Sequence, residues 1–161
     1  MHKLIPFIFC ILIIGCAENG ISDPPDISIQ VLQSTPDTIT VENRVMYLST
    51  YLWRDFQPMI GVNGSALIGL FYVTAIDSFR LSSNISADAV WIIHNNQVWK
   101  SLFSHEPAPD PELRPNRIVK IARNGPPWGP DVFVDVIVRI TDGKGGSKLL
   151  RSSKQGIGST H

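Results

Sequence analysis

The chain has 161 residues, 14 basic and 14 acidic side chains for a formal charge of zero, and 43% hydrophobic residues. That length suits one domain of ordinary size. The even charge leaves no basic face to meet a phosphate backbone, which argues against nucleic acid as a partner.

The first residues, Met1-His2-Lys3, are short and positively charged, and Leu4 to Ile14 is apolar apart from Pro6. As a helix this run covers roughly 16 Å, about half the hydrocarbon thickness that a spanning segment must cross. A charged start, a short apolar centre and a small residue before a polar stretch describe a cleavable signal peptide. The run ends on Ile13-Ile14-Gly15-Cys16, which resembles the lipobox of bacterial lipoproteins. The resemblance covers residues 1 to about 20, and Ile13 is a permitted departure from the commoner Leu. It implies cleavage of residues 1–15 before Cys16, with Ile13, Ile14 and Gly15 recognised by the signal peptidase and the Cys16 sulfur carrying diacylglycerol. Two or more acyl chains hold a protein to a bilayer almost permanently. It also implies an address, the bacterial cell envelope, with the outer membrane favoured because Ala17 rather than Asp follows the cysteine.

Cleavage would remove Cys10 and lipidation would occupy Cys16, leaving the mature chain no free thiol. Disulfides, thiol nucleophiles and zinc-cysteine or blue-copper sites are then not expected.

Residues 16–26 form an acidic, Gly- and Pro-bearing tether, and residues 27–161 the folded domain. Ile27, Ile29 and Val31 alternate with Ser28 and Gln30 as in a half-buried strand, and Thr38–Val41 repeats the pattern. The stretch 44–56 reads as strand from its neighbours, although Val45, Leu48 and Leu52 also fit helical spacing. In "SALIGLFYVTAIDSF", Leu70, Tyr72, Thr74 and Ile76 face one way and Phe71, Val73 and Ala75 the other. "AVWIIHNNQVWKSLF" sets two apolar runs around Asn95-Asn96, a hairpin signal. The 105–115 stretch carries four prolines and reads as an exposed loop. "NRIVKIAR" offers another strand. "VFVDVIVRIT" places Val132, Val134, Val136, Val138 and Ile140 on one parity, with Asp135, Arg139 and Thr141 on the other. "SKLLRSS" pairs with it across the glycine-rich "DGKGG", and the terminal "KQGIGSTH" frays or closes an edge.

Seven or eight strands at this spacing, without a sustained helical period after residue 60, indicate an all-β fold, a single antiparallel β-sandwich. The pattern looks like the immunoglobulin or fibronectin type III superfold, without a Cys-Trp-Cys set. Fold of this kind does not specify function.

Chemistry is sparse. His94, His105 and His161 show no ligand spacing, and Glu106, Asp110 and Glu112 lie among alternating prolines that keep them apart, so no metal or other cofactor is expected. "NGSALIG" lacks the second glycine of a hydrolase elbow, and no catalytic residues are assigned. Trp53, Trp91 and Trp99 sit in strand patterns and read as core. Trp128, in "NGPPWGP", has two readings: it folds back to cap the end of the sheet, or the stiff loop presents it as an anchor for a carbohydrate, peptide or protein partner. The sequence therefore reads as a non-enzymatic, lipid-anchored binding or structural module. Its rivals are an accessory subunit of a secretion, adhesion or polysaccharide-handling complex, and a cryptic hydrolase.

Overall fold

The computed structural model describes residues 23–58, 60, 61, 63–107 and 114–160. Cys10, Cys16 and the expected signal peptide lie outside the described residues, as do Asp110, Glu112 and His161. One short helix, α1 (Ile29–Gln33), precedes eight strands: β1 (Thr38–Val41), β2 (Arg44–Asp55), β3 (Leu67–Ala75), β4 (Ser86–His94), β5 (Gln97–Leu102), β6 (Arg117–Gly125), β7 (Val132–Thr141) and β8 (Ser147–Thr160). They form one mixed sheet in the order β5-β4-β7-β8-β2-β3-β6, with β1 paired to β2, curled into a half-barrel around its core. Every pairing is antiparallel except β2 with β8, which is parallel from Leu52–Ile157 to Asp55–Thr160. The sheet is therefore mixed, where the pattern suggested a purely antiparallel one.

Strands form within the stretches expected to hold them, 38–41, 65–79, 89–103, 116–123, 132–141 and 147–153, and 44–55 is strand rather than helix. Two tight hairpins set the register. Glu42-Asn43 joins β1 to β2 and Asn95-Asn96 joins β4 to β5, each pair with both φ values positive, the backbone that matches the twist of a two-residue hairpin. Two expectations change. Residues 29–33 are helical because Ser28, extended at φ −62° and ψ 146°, accepts the Val31 N–H and caps the first turn. The buried side chain there is Leu32, while Val31 is exposed. The terminal segment neither frays nor closes an edge, because β8 continues to Thr160 in the interior of the sheet, between β7 and β2.

The β-branched parity of β7 does point into the main core. Val134, Val136, Val138 and Ile140 meet Phe71, Val73, Met46, Leu52, Val90, Ile92, Leu150 and Ile157. The other parity of β4 and β7 is buried too: Ala89, Trp91, Ile93 and Ile137 pack under Leu32, with Ile27 and Ile29 partly buried beside them. This second cluster fastens the N-terminal segment to the outside of the sheet. Lys100 Nζ donates to the Pro24 carbonyl at 3.1 Å and pairs with Asp26 at 2.6 Å, and Trp91 Nε1 donates to the Pro25 carbonyl at 3.3 Å. Attachment thus begins inside the stretch read as tether.

Candidate functional site

β2 shares one of its edges between two partners. β1 pairs with Arg44–Tyr47 and β8 with Leu52–Asp55, so the sheet forks along Leu48–Tyr51. Beyond the last parallel pair, Leu52–Ile157, the strands are bridged by side chains: Thr50 Oγ1 donates to Gln155 Oε1 at 2.7 Å. The fork opens into a cleft of about 550 Å³ lined by Tyr51, Phe133, Asp131, Gln155, Gly156 and Gly158 among others.

The parity of β8 at the cleft follows from a bulge. Val136 faces Ser152 but Val134 faces Gln155, so β8 carries one extra residue there. Lys154 absorbs it with φ 53°, and its N–H is held by the Asp135 carboxylate at 3.0 Å. The bulge turns Ile157 into the core and leaves Gly156 and Gly158 facing out. Neither glycine has a positive φ. A Cβ on Gly156 would come no closer than 3.8 Å to the Phe133 ring, and one on Gly158 no closer than 3.8 Å to the Leu52 carbonyl. Nothing inside the fold requires glycine at either place. The floor is bare backbone, with Tyr51 (53% exposed) and Phe133 (71% exposed) as aromatic walls.

The aromatic character extends beyond the cleft. The outward parity of β2 carries Tyr47, Tyr51 and Trp53, and the register sets Tyr72 of β3 opposite Ser49, diagonal to both Tyr47 and Tyr51. All three tyrosines of the chain therefore stand on one outer face. The Tyr51 and Trp53 rings lie 5.2 Å apart, and the Arg117 guanidinium sits 5.1 Å from the centre of the Tyr72 ring, a cation–π contact. Trp53, read as core from its pattern, belongs to this outer face and is half-buried. Trp91 is buried in the second cluster and Trp99 packs partly buried against the main core.

Trp128 lies on the loop entering β7, three residues before Asp131. It is half-buried, packs against the main core, and its ring centre is 5.4 Å from that of His94. His94 Nδ1 lies 3.3 Å from the Phe133 carbonyl and Nε2 3.1 Å from Asn95 Nδ2. Since the carbonyl must accept, Nδ1 carries the proton and Nε2 accepts from the amide. Arg54, inward on β2 and 5% exposed, holds this end together. It donates to the carbonyls of Ser65 (2.8 Å), Asn63, Pro127 (3.2 Å) and Gly129 (2.8 Å), and its guanidinium lies 4.9 Å from the centre of the Phe56 ring. Gly129 (φ +81°) is tight, since an added Cβ would fall 2.8 Å from Ile157 Cγ2.

Among the described residues no three His, Cys, Asp or Glu side chains gather as a metal site would need. Glu106 is bound by Arg123 (2.6 and 3.1 Å) and Ser104 (2.9 Å), and the Arg123 guanidinium, more than Ser104, holds its carboxyl below the usual range. His94 lies beside Trp128 and His105 is exposed.

Comparison with protein-family models, with curated proteins and with solved structures finds no match to this chain. Tyr51, Phe133, Gly156 and Gly158 were not legible as a site from sequence. The available signals were Phe133 on the polar parity of "VFVDVIVRIT" and the Gly-x-Gly in "QGIGST", a pattern of close approach in a strand.

Proposed function

We propose that this protein is a non-catalytic binding module of a bacterial cell envelope, anchored through lipid on Cys16 and presenting the aromatic side of β2 and β3 to its partner. The observation that carries the binding role is the collection of Tyr47, Tyr51, Trp53 and Tyr72 on one outward face. Aromatic side chains supply large, stiff contact area at low entropic cost and are enriched where binding energy concentrates. The lipobox-like Ile13-Ile14-Gly15-Cys16 carries the address, with the outer membrane the favoured one.

A finer architectural reading accompanies this. Taken in chain order, β2, β3, β4, β5, β6, β7 and β8 correspond to strands A, B, C, C′, E, F and G of an immunoglobulin-like sandwich. The two halves of the curled sheet, β2-β3-β6 and β5-β4-β7-β8, then form the A-B-E and C′-C-F-G layers, joined by the parallel A–G pair.

The test uses the full chain expressed in a bacterial host fed an alkyne fatty acid. Wild type takes up the label and stays with detergent-insoluble envelope material. Cys16→Ala loses the label. Tyr47→Ser/Tyr72→Ser keeps the label but is released by detergent. An unlabelled wild type overturns the anchor, and a tyrosine variant retained as well as wild type overturns the binding face.

A further inference from the structure

We infer that the cleft at the fork of β2 and β8 is a binding site for a neutral glycan, a chain of uncharged pyranose rings seated on Gly156 and Gly158 between Tyr51 and Phe133. This rests on reading the protein as a binding module and names the ligand class of one site. Four observations lead to it.

The floor is the first. Glycine in a strand costs conformational entropy and side-chain packing, yet Gly156 and Gly158 have ordinary extended backbones, and their missing side chains leave space only on the outside. A residue kept small for no internal reason makes room for something external. The walls are the second. Two exposed rings on either side of bare backbone offer the flat apolar faces against which the C–H faces of a sugar ring stack, and weak C–H···π contacts suit that geometry. The volume, about 550 Å³, falls within the roughly 300–1,000 Å³ of small-ligand sites.

Charge is the third. The lining contains Asp131 and no basic side chain. Lys154 and Asp135 line the neighbouring cleft across Phe133. Uronic or phosphorylated sugars would meet a carboxylate without a cation, whereas hydroxyl groups find an acceptor in Asp131. The fourth is the closed fork. β8 is paired on both sides at Ile157, and the open edge of β2 is bounded by β1 at one end and β8 at the other. An extended peptide therefore cannot run through as an added strand, the usual way a sheet edge takes one.

The decisive experiment is calorimetric titration of the full-length protein in detergent with cellotetraose, chitotetraose and mannotetraose, and with tetragalacturonate as the anionic control. At least one neutral tetrasaccharide binds saturably and tetragalacturonate does not. Phe133→Ser weakens that binding roughly tenfold, the loss expected when an anchoring aromatic is truncated. Gly156→Val, for which the fold has room, abolishes binding while leaving the urea midpoint at or above the wild-type value, so lost affinity cannot be ascribed to lost structure. Binding by none of the neutral sugars, tighter binding of the galacturonate, or full affinity in Gly156→Val overturns the assignment. Such a failure leaves the detergent release of Tyr47→Ser/Tyr72→Ser unaffected, so the glycan site and the aromatic face stand or fall separately.

Discussion

Arg54→Met is the sharpest test of how the cleft end of the molecule is held. The guanidinium uses four of its five N–H groups on four backbone carbonyls, two in the 63–65 turn and two in the loop that carries Trp128. Hydrogen bonds from a charged donor contribute about 1.5–3 kcal/mol each, and methionine replaces the side-chain stem but none of these donors. Relief of the desolvation cost of burying a guanidinium offsets about half the gross loss, because that penalty amounts to several kcal/mol. The net destabilisation is then about 3–6 kcal/mol. With a urea m-value of about 1–3 kcal/mol/M for a domain of this size, the midpoint falls by 1 M or more at unchanged m. Urea denaturation followed by tryptophan emission reads this directly. Arg54→Lys falls nearly as far, because an ammonium offers three donors from one point and cannot reach four carbonyls set around a planar fork. Below the urea transition, loosening the 126–129 loop makes Trp128 emission more quenchable by iodide in both variants. A midpoint shift under about 0.3 M for Arg54→Met, or unchanged quenching, would refute the claim that this arginine fastens the two loops.

Other perturbations test other parts of the argument. Leu32→Ala removes a fully buried side chain and costs about 2–5 kcal/mol; it also raises the quenchability of Trp91, which Leu32 helps to cover, and an unchanged Trp91 would show that α1 does not seal the second cluster. Asp77 is held below its ordinary value of 3.8, first by the hydrogen bond from Arg44 and also by the Phe79 N–H. A lowered folded-state pKa adds stability above pH 3.8 that disappears as pH falls through the folded value, so the stability gap between wild type and Asp77→Asn is full at pH 7 and closes below pH 3.8; a gap independent of pH counts against the pairing. Gly129→Ala places a Cβ 2.8 Å from Ile157 Cγ2 at a left-handed φ and lowers stability by about 1–3 kcal/mol, measured by thermal melting.

Most strands were legible because a buried face imposes a period of two. In β7 five β-branched residues on one parity left little choice, and Asn95-Asn96 announced its hairpin because asparagine tolerates the left-handed backbone. The misread N-terminal element shows the limit of periodicity. Over five residues Ile27, Ile29 and Val31 fit a strand, but local capping by Ser28 and burial of Leu32 against Trp91 decide for helix, and that contact depends on residues about sixty positions away. The parallel β2–β8 pair was hidden for the same reason, since pairing partners a hundred residues apart leave no local trace. The cleft was hidden by the bulge at Lys154. Read at an unbroken period from Leu150, residues 156 and 158 would point into the core and Ile157 outward; one extra residue reverses them, and no periodicity count locates that residue in advance.

The two outer sides of the half-barrel divide the work. On the β4–β7 side the chain covers its own surface, with α1 and residues 24–27 laid over Trp91 and Ile137. On the β2–β3 side Tyr47, Tyr51, Trp53 and Tyr72 are left to solvent in whole or in part. On the proposed anchoring at Cys16, eight residue steps separate the lipid from the docked Pro24, a reach of at most roughly 30 Å even when fully extended. Lipid and covered side are then leashed close together, and the aromatic face, across the core from the point of attachment, is directed away from the bilayer. On that proposal, a tether short enough to orient the domain would account for one outer face being spent on fastening the N-terminal segment while the other kept its rings exposed. Lengthening it with a flexible insert between Asn19 and Gly20 would relax that orientation while leaving the rings and the cleft themselves unaltered. Detergent-resistant retention of such a variant should therefore persist if the face alone does the binding, and weaken if orientation by the leash contributes.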